Sequence, residues 1–128
     1  LFNNGYAYWL NKIGTENAEK ITMAVPFYGI RFDKNHTAGN SATAAAVLYN
    51  ETLMDFPQAY TDDTLETKSQ IVIHNGINTL GQKVKKVKEQ NNIGIAIWEI
   101  SFDHGTGKKS LIDFIYNAAN PTTESVKN

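Results

Sequence analysis

Two stretches of the chain alternate bulky apolar residues with small ones in the same way. In Gly94-Ile95-Ala96-Ile97-Trp98-Glu99-Ile100, an extended backbone places Ile95, Ile97 and Glu99 on one side and Gly94, Ala96 and Trp98 on the other. In Ile21-Thr22-Met23-Ala24-Val25-Pro26-Phe27-Tyr28, the bulky set is Met23, Val25 and Phe27; the small set is Thr22, Ala24 and Pro26, and the stretch closes on Tyr28. Strands that turn branched residues toward helices and small residues toward an interior are those of a parallel barrel, whose ligand sites lie at the carboxyl ends of the strands. The pattern predicts one pocket shared by both strands, with Trp98 as its floor. Gly29, directly after Tyr28, is expected to let the chain turn sharply out of the strand.

The other elements follow from periodicity and punctuation. Tyr6, Trp9, Leu10 and Ile13 recur at helical spacing and Gly14 stops the helix, with 15–20 as a linker. Residues 31–43 are polar and read as a loop, and 44–56 is rich in alanine and reads as a helix that ends near Asp55, before Pro57. Residues 60–69 are acidic and irregular, and the β-branched run 70–74 is expected as an edge strand. Asn75-Gly76 turns the chain into a helix over about 77–90, and the Trp98 strand follows. Asp103, His104, Gly105 and Gly107 lie in a loop, and Ser110 caps a last helix with Leu111, Ile112, Phe114, Ile115 and Ala118 on its apolar face. The order is a βα repeat interrupted by a surface excursion over about 31–72, with 120–128 as a tail. Two parallel strands do not make a closed sheet, and an eight-stranded barrel takes about 250 residues. The expected fold class is therefore α/β, the carboxyl-terminal part of a TIM (β/α)8 barrel, incomplete as it stands.

At 128 residues, 41% hydrophobic and a formal net charge of -1, the composition is that of one folded unit and gives no footing for nucleic acid. Lys83, Lys85, Lys86 and Lys88 form the one cationic cluster, read as the solvated face of a helix. Cysteine is absent, which excludes disulfides and thiolate metal sites. No run reaches the roughly 18 apolar residues of a membrane helix, so no membrane partner is expected. The chain starts at Leu1 without methionine, and an amino-terminal region is expected to have been removed or to belong to another piece.

The runs ITMAVPFYG, HNGINTLGQKV, GIAIWEISFD and SLIDFI resemble the last part of a glycoside hydrolase family 18 chitinase-type barrel, strands seven and eight. The resemblance spans most of 6–118, and the Trp98 segment is its most specific part. It implies retaining hydrolysis of β-1,4-linked N-acetylglucosamine polymers, in which the substrate's own acetamido carbonyl attacks the anomeric carbon and a protein glutamate protonates the leaving oxygen. The family's acid lies in a DxxDxDxE motif that this chain lacks, so no catalytic residue is expected here and the segment alone is expected to be inactive. Asp62-Asp63-Thr64-Leu65-Glu66 has neither that spacing nor an apolar strand before it. The implied partners are an N-acetylglucosamine polysaccharide and the amino-terminal remainder of the same barrel, with no cofactor. The implied location is outside the cell or in its envelope.

The resemblance carries four substrate-binding candidates. Trp98 corresponds to the tryptophan under the sugar at the cleavage subsite, against the alternative of a core indole. Tyr28 corresponds to a rim tyrosine that reaches substrate or orients the acid, or is structural only. Arg31 stands one residue later than the family's arginine, because Ile30 occupies that place. Asp103 serves either rim hydrogen bonding or turn formation. Ala96 replaces a usual methionine and widens the pocket. His36, His74 and His104 lack ligand spacing, so no metal is expected. Other readings that the same features allow are action on peptidoglycan or N-glycan cores and a non-catalytic sugar-binding barrel.

Overall fold

The computed structural model describes residues 2–35, 44–90 and 94–121. The chain enters through α1 (Phe2–Ile13), which Gly14 ends at φ 87°, and a 3-10 turn (Thr15–Lys20) leads into β1 (Met23–Pro26). The chain bends at Phe27 and continues as β2 (Tyr28–Asp33), β3 (Ala45–Leu48) and α2 (Tyr49–Asp55). A 3-10 turn (Pro57–Tyr60) precedes β4 (Thr64–Glu66) and β5 (Gln70–Ile73), followed by α3 (Ile77–Glu89), β6 (Ile95–Trp98) and α4 (Leu111–Ala119).

β1 and β6 form a two-stranded parallel sheet, as a βα crossover requires. Its bulky face packs on α3 and α4, so that Val25 and Phe27 share one core with Leu80 and Val84 of α3 and Leu111 and Ile115 of α4. Each such side chain removed from water stabilises the fold by about 1.5–3 kcal/mol. α1 rests on a smaller cluster of Tyr6, Ile21 and Val87, with Leu10 and Ile13 at its margin. Trp9, the other member of the predicted α1 stripe, is exposed.

The excursion is a folded unit rather than a surface loop. β2 to β5 make a four-stranded antiparallel sheet in the order β3-β2-β5-β4, and α2 covers one face of it. Its buried residues Leu53, Leu65 and Val72 join the core of the parallel sheet. Four sequence expectations change here, the first being that residues 60–69, read as irregular, contribute β4, which pairing with β5 holds extended. Residues 31–33, read as loop, continue β2, because Arg31 and Asp33 alternate with Ile30 and Phe32. Ala45–Leu48, read as helix, pairs with β2 as a strand; pairing with a neighbouring strand overrides the helix preference of alanine, and the helix starts only at Tyr49. β5, expected at an edge, is internal, with β2 on one side and β4 on the other.

Gly29 is needed for proximity rather than for a turn. A Cβ there would meet His74 Cβ and the Ile73 carbonyl oxygen, each at 2.8 Å. Asn75 then ties the two sheets to α3: its amide reaches the Pro26 carbonyl at 3.5 Å and its Oδ1 accepts from Lys83 Nζ at 2.8 Å. Of the predicted tail, 122–128 lies outside the described residues.

Candidate functional site

The register of the parallel sheet is Met23 with Ile95, Ala24 with Ala96, Val25 with Ile97 and Pro26 with Trp98. Paired residues of parallel strands point the same way, so Ala24 and Ala96 lie side by side on the face turned away from α3 and α4, one step below Pro26 and Trp98. Both alanines are exposed, and Trp98 is 65% exposed above them. Neither core cluster includes the indole. The Phe27 N–H donates to the Trp98 carbonyl oxygen at 2.8 Å, which brings the start of β2 against the end of β6. Glu99 is half-buried and accepts from the Ser101 hydroxyl.

Tyr28 follows Phe27 directly and is half-buried. By alternation it shares a face of the antiparallel sheet with Ile30 and Phe32, and strand pairing sets Leu48, Ile71 and Ile73 beside them. That face lies opposite α2 and exposes two large apolar residues, Phe32 and Ile73, with Ala46, Thr64 and Glu66 also exposed on it. An apolar wall thus begins at Tyr28, next to the Trp98 strand end. Reading residues 31–43 as loop hid this wall, although the alternation of Ile30 and Phe32 with polar neighbours was the available signal.

Arg31 is on the other face of β2. It lines a small cavity of about 120 Å³ with Glu51, Asp55 and Gln70, on the α2 side of the sheet. The structure brings Tyr28 close to the Trp98 strand end and does not bring Arg31 there.

Asp103 is buried and saturated. Its carboxylate accepts from the Ser110 hydroxyl at 2.7 Å, the Leu111 N–H at 2.9 Å and the Ile112 N–H at 3.1 Å. The same carboxylate takes the His104 N–H at 2.8 Å, while Ser110 Oγ accepts from the Asp113 N–H at 3.0 Å. An anion here suits the positive end of α4, so turn formation accounts for its contacts. Asp103→Ala leaves three donors unpaired at a buried helix start and is expected to destabilise the fold by about 2–4 kcal/mol. Chemical denaturation of the polypeptide that carries the whole barrel checks this.

The acidic run is likewise structural. Asp63 accepts from the Gly76 N–H at 2.7 Å and from the Thr79 hydroxyl, capping α3, and Glu66 pairs with Lys34 at 2.6 Å. His74 stacks on Tyr49 with ring centroids 6.4 Å apart, and its Nε2 is buried without a hydrogen-bond partner among the described residues. Burial lowers its pKa, against a hydrogen bond to the Asp62 backbone and the charges of Asp63 and Asp62, which raise it. The unfolded chain therefore binds this proton more readily than the folded one. Stability is full above an unfolded pKa of about 6.5 and falls as pH drops through the folded value. Urea unfolding between pH 7.5 and 4.5 should show this loss, and His74→Gln should flatten that part of the profile.

His104 is exposed and His36 lies outside the described residues. Among the described residues no group of His, Cys, Asp and Glu is placed to hold a metal ion, and no helix is long and apolar enough to cross a membrane.

No protein-family profile matches the sequence and no curated protein does. Solved structures do. The GH18 chitinase ChiB from the chitin utilization locus of Flavobacterium johnsoniae is 26% identical over 92% of this chain and 33% of that chain, with a TM-score of 0.70. The fold is that of the carboxyl-terminal part of a glycoside hydrolase family 18 barrel. A Group IV chitinase of Ostrinia furnacalis gives 25% identity and a TM-score of 0.71 over 92% of this chain and 39% of that one. Human YKL-39, a pseudo-chitinase with retained chitooligosaccharide binding properties, shares the fold at 17% identity and a TM-score of 0.68, over 91% of this chain and 39% of that one. The chain thus spans well under half the length of each of these matched chains. β1 and β6 are strands seven and eight of the barrel, and the alanine-lined face is the side that a closed barrel turns inward.

Proposed function

We propose that this segment supplies the sugar-stacking tryptophan of an extracellular or envelope hydrolase of β-1,4-linked N-acetylglucosamine polymers. The observation that carries the reading is the position of Trp98, exposed at the carboxyl end of β6 above the paired Ala24 and Ala96. An indole face there meets the C–H side of a pyranose ring, and the bare alanines leave depth beneath it for the acetamido group. Tyr28 and the apolar wall of Ile30, Phe32, Ile71 and Ile73 flank the cleft. The mechanism in this reading is retaining and substrate-assisted, with the acid on strand four of the complete barrel and none on this segment.

A second reading keeps the platform and drops the chemistry. It is favoured by the shared fold of human YKL-39, a pseudo-chitinase that retains chitooligosaccharide binding. Assaying a polypeptide that carries the whole barrel on chitotetraose and on peptidoglycan tests both. Release of chitobiose supports the first reading; tight binding without cleavage supports the second. Cleavage of peptidoglycan alone moves the substrate to another N-acetylglucosamine polymer, and neither binding nor cleavage of any of these sugars ends the carbohydrate reading.

A further inference from the structure

Among the described residues, a cleft of about 480 Å³ separates the 3-10 turn of the excursion from α4. Tyr60 stands on one bank; Tyr116 and Asn117 on α4 and Lys108 in the preceding loop stand on the other. Tyr116 is 66% exposed, one of the largest apolar exposures in the chain, although it lies on a helix whose other aromatic residue, Phe114, packs inward. Asp113 lines the cleft as well and spends Oδ2 on the Gly107 N–H at 2.7 Å. The cleft therefore offers an open phenol ring beside a carboxylate, a primary amide, an ammonium and a second phenol. Burial and the nearby carboxylates of Asp103 and Asp113 raise the pKa of Tyr60, which keeps that phenol a hydrogen-bond donor.

This set fits a neutral ring with one C–H face and many hydroxyls. An anion would meet Asp113, and an apolar ligand would strand four polar groups. We propose that the Tyr60–Tyr116 cleft is a secondary pyranoside site that holds a polysaccharide strand on the outer surface, with the Tyr116 ring as its stacking face and Asp113, Asn117 and Lys108 bonding hydroxyls. The groups belong to two separate parts of the fold, and Tyr49 joins those parts just behind the cleft: its hydroxyl donates to the Lys109 carbonyl oxygen at 2.8 Å. The banks are thus held in fixed relation before any ligand arrives, which lowers the ordering cost of weak binding. The choice of an N-acetylglucosamine polymer as its ligand rests on the proposed function; the geometry alone requires only a pyranoside.

The test is binding to chitin beads and hydrolysis of soluble chitotetraose by the protein carrying the whole barrel. Tyr116→Ala and Asn117→Ala, both at exposed positions, are expected to weaken bead binding roughly fivefold or more while leaving kcat/KM on chitotetraose unchanged. Tyr116→Phe keeps the ring and should bind as the parent does. Trp98→Ala should lower kcat/KM on chitotetraose roughly 100-fold and keep most bead binding. Unchanged bead binding in Tyr116→Ala overturns the proposal, as does complete loss of bead binding in Trp98→Ala; the latter result leaves the Trp98 platform standing. Bead binding that depends on Tyr116, with hydrolysis indifferent to Trp98, upholds the outer site and sinks the platform instead.

Discussion

Trp98→Ala, made in the polypeptide that carries the whole barrel, is expected to lower kcat/KM on chitotetraose roughly 100-fold. The indole is 65% exposed in this segment and lies outside both of its core clusters, so neither cluster loses a member with it. The loss should fall mainly on kcat if the ring holds a distorted sugar, because that interaction strengthens toward the transition state. Trp98→Phe should recover part of the rate, since it keeps a flat face of smaller area. Activity within about twofold of the parent in Trp98→Ala would mean that the ring is not under the sugar, whatever its exposure.

The chain of 128 residues on its own is expected to associate and to unfold without a sharp transition. β1 pairs only with β6 among the described residues, which leaves the outer edge of each strand open. The face between those edges carries Ala24, Ala96 and Trp98, Ile100 is exposed two residues beyond Trp98, and α1 exposes Tyr8 and Trp9. Unpaired strand edges beside apolar surface recruit further strands. The core around Leu80, Phe27 and Leu111 is well formed, so helical structure should persist while the parallel sheet is loose. Sedimentation should show dimers or larger species, and co-expression with the remaining six βα units should convert them to a single soluble particle with cooperative melting. A stable monomer with one steep transition would show that the segment completes its own sheet.

The parts of the fold governed by neighbours in sequence were readable from the sequence. Alternation alone placed the bulky residues of β1 and β6 toward helices, and Ser110 announced the start of α4. The excursion was not readable, because its strands are short and fixed by partners far along the chain. Ile30 gains its place from Ile73, and Ala45 from Arg31. A polar residue every second position in β2 looks like a loop unless α2, with Glu51 and Asp55, is known to lie over that face. The candidate site divides the same way. Trp98 takes its direction from β6, which alternation reveals, whereas Tyr28 takes its direction from β2, which the sequence reading did not recognise. For Arg31 the deciding fact was which face of a then unrecognised strand it occupied. For Asp103 it was the start of α4, whose donors leave its carboxylate nothing to offer a substrate.

A crystal structure of the complete barrel with chitotetraose bound measures the position of the indole relative to the sugar. A pyranose C–H face lying flat on Trp98, with its acetamido group over the Ala24–Ala96 pair and Tyr28 at the edge, is the expected result. An indole covered by neighbouring strands, with the sugar elsewhere, would contradict it.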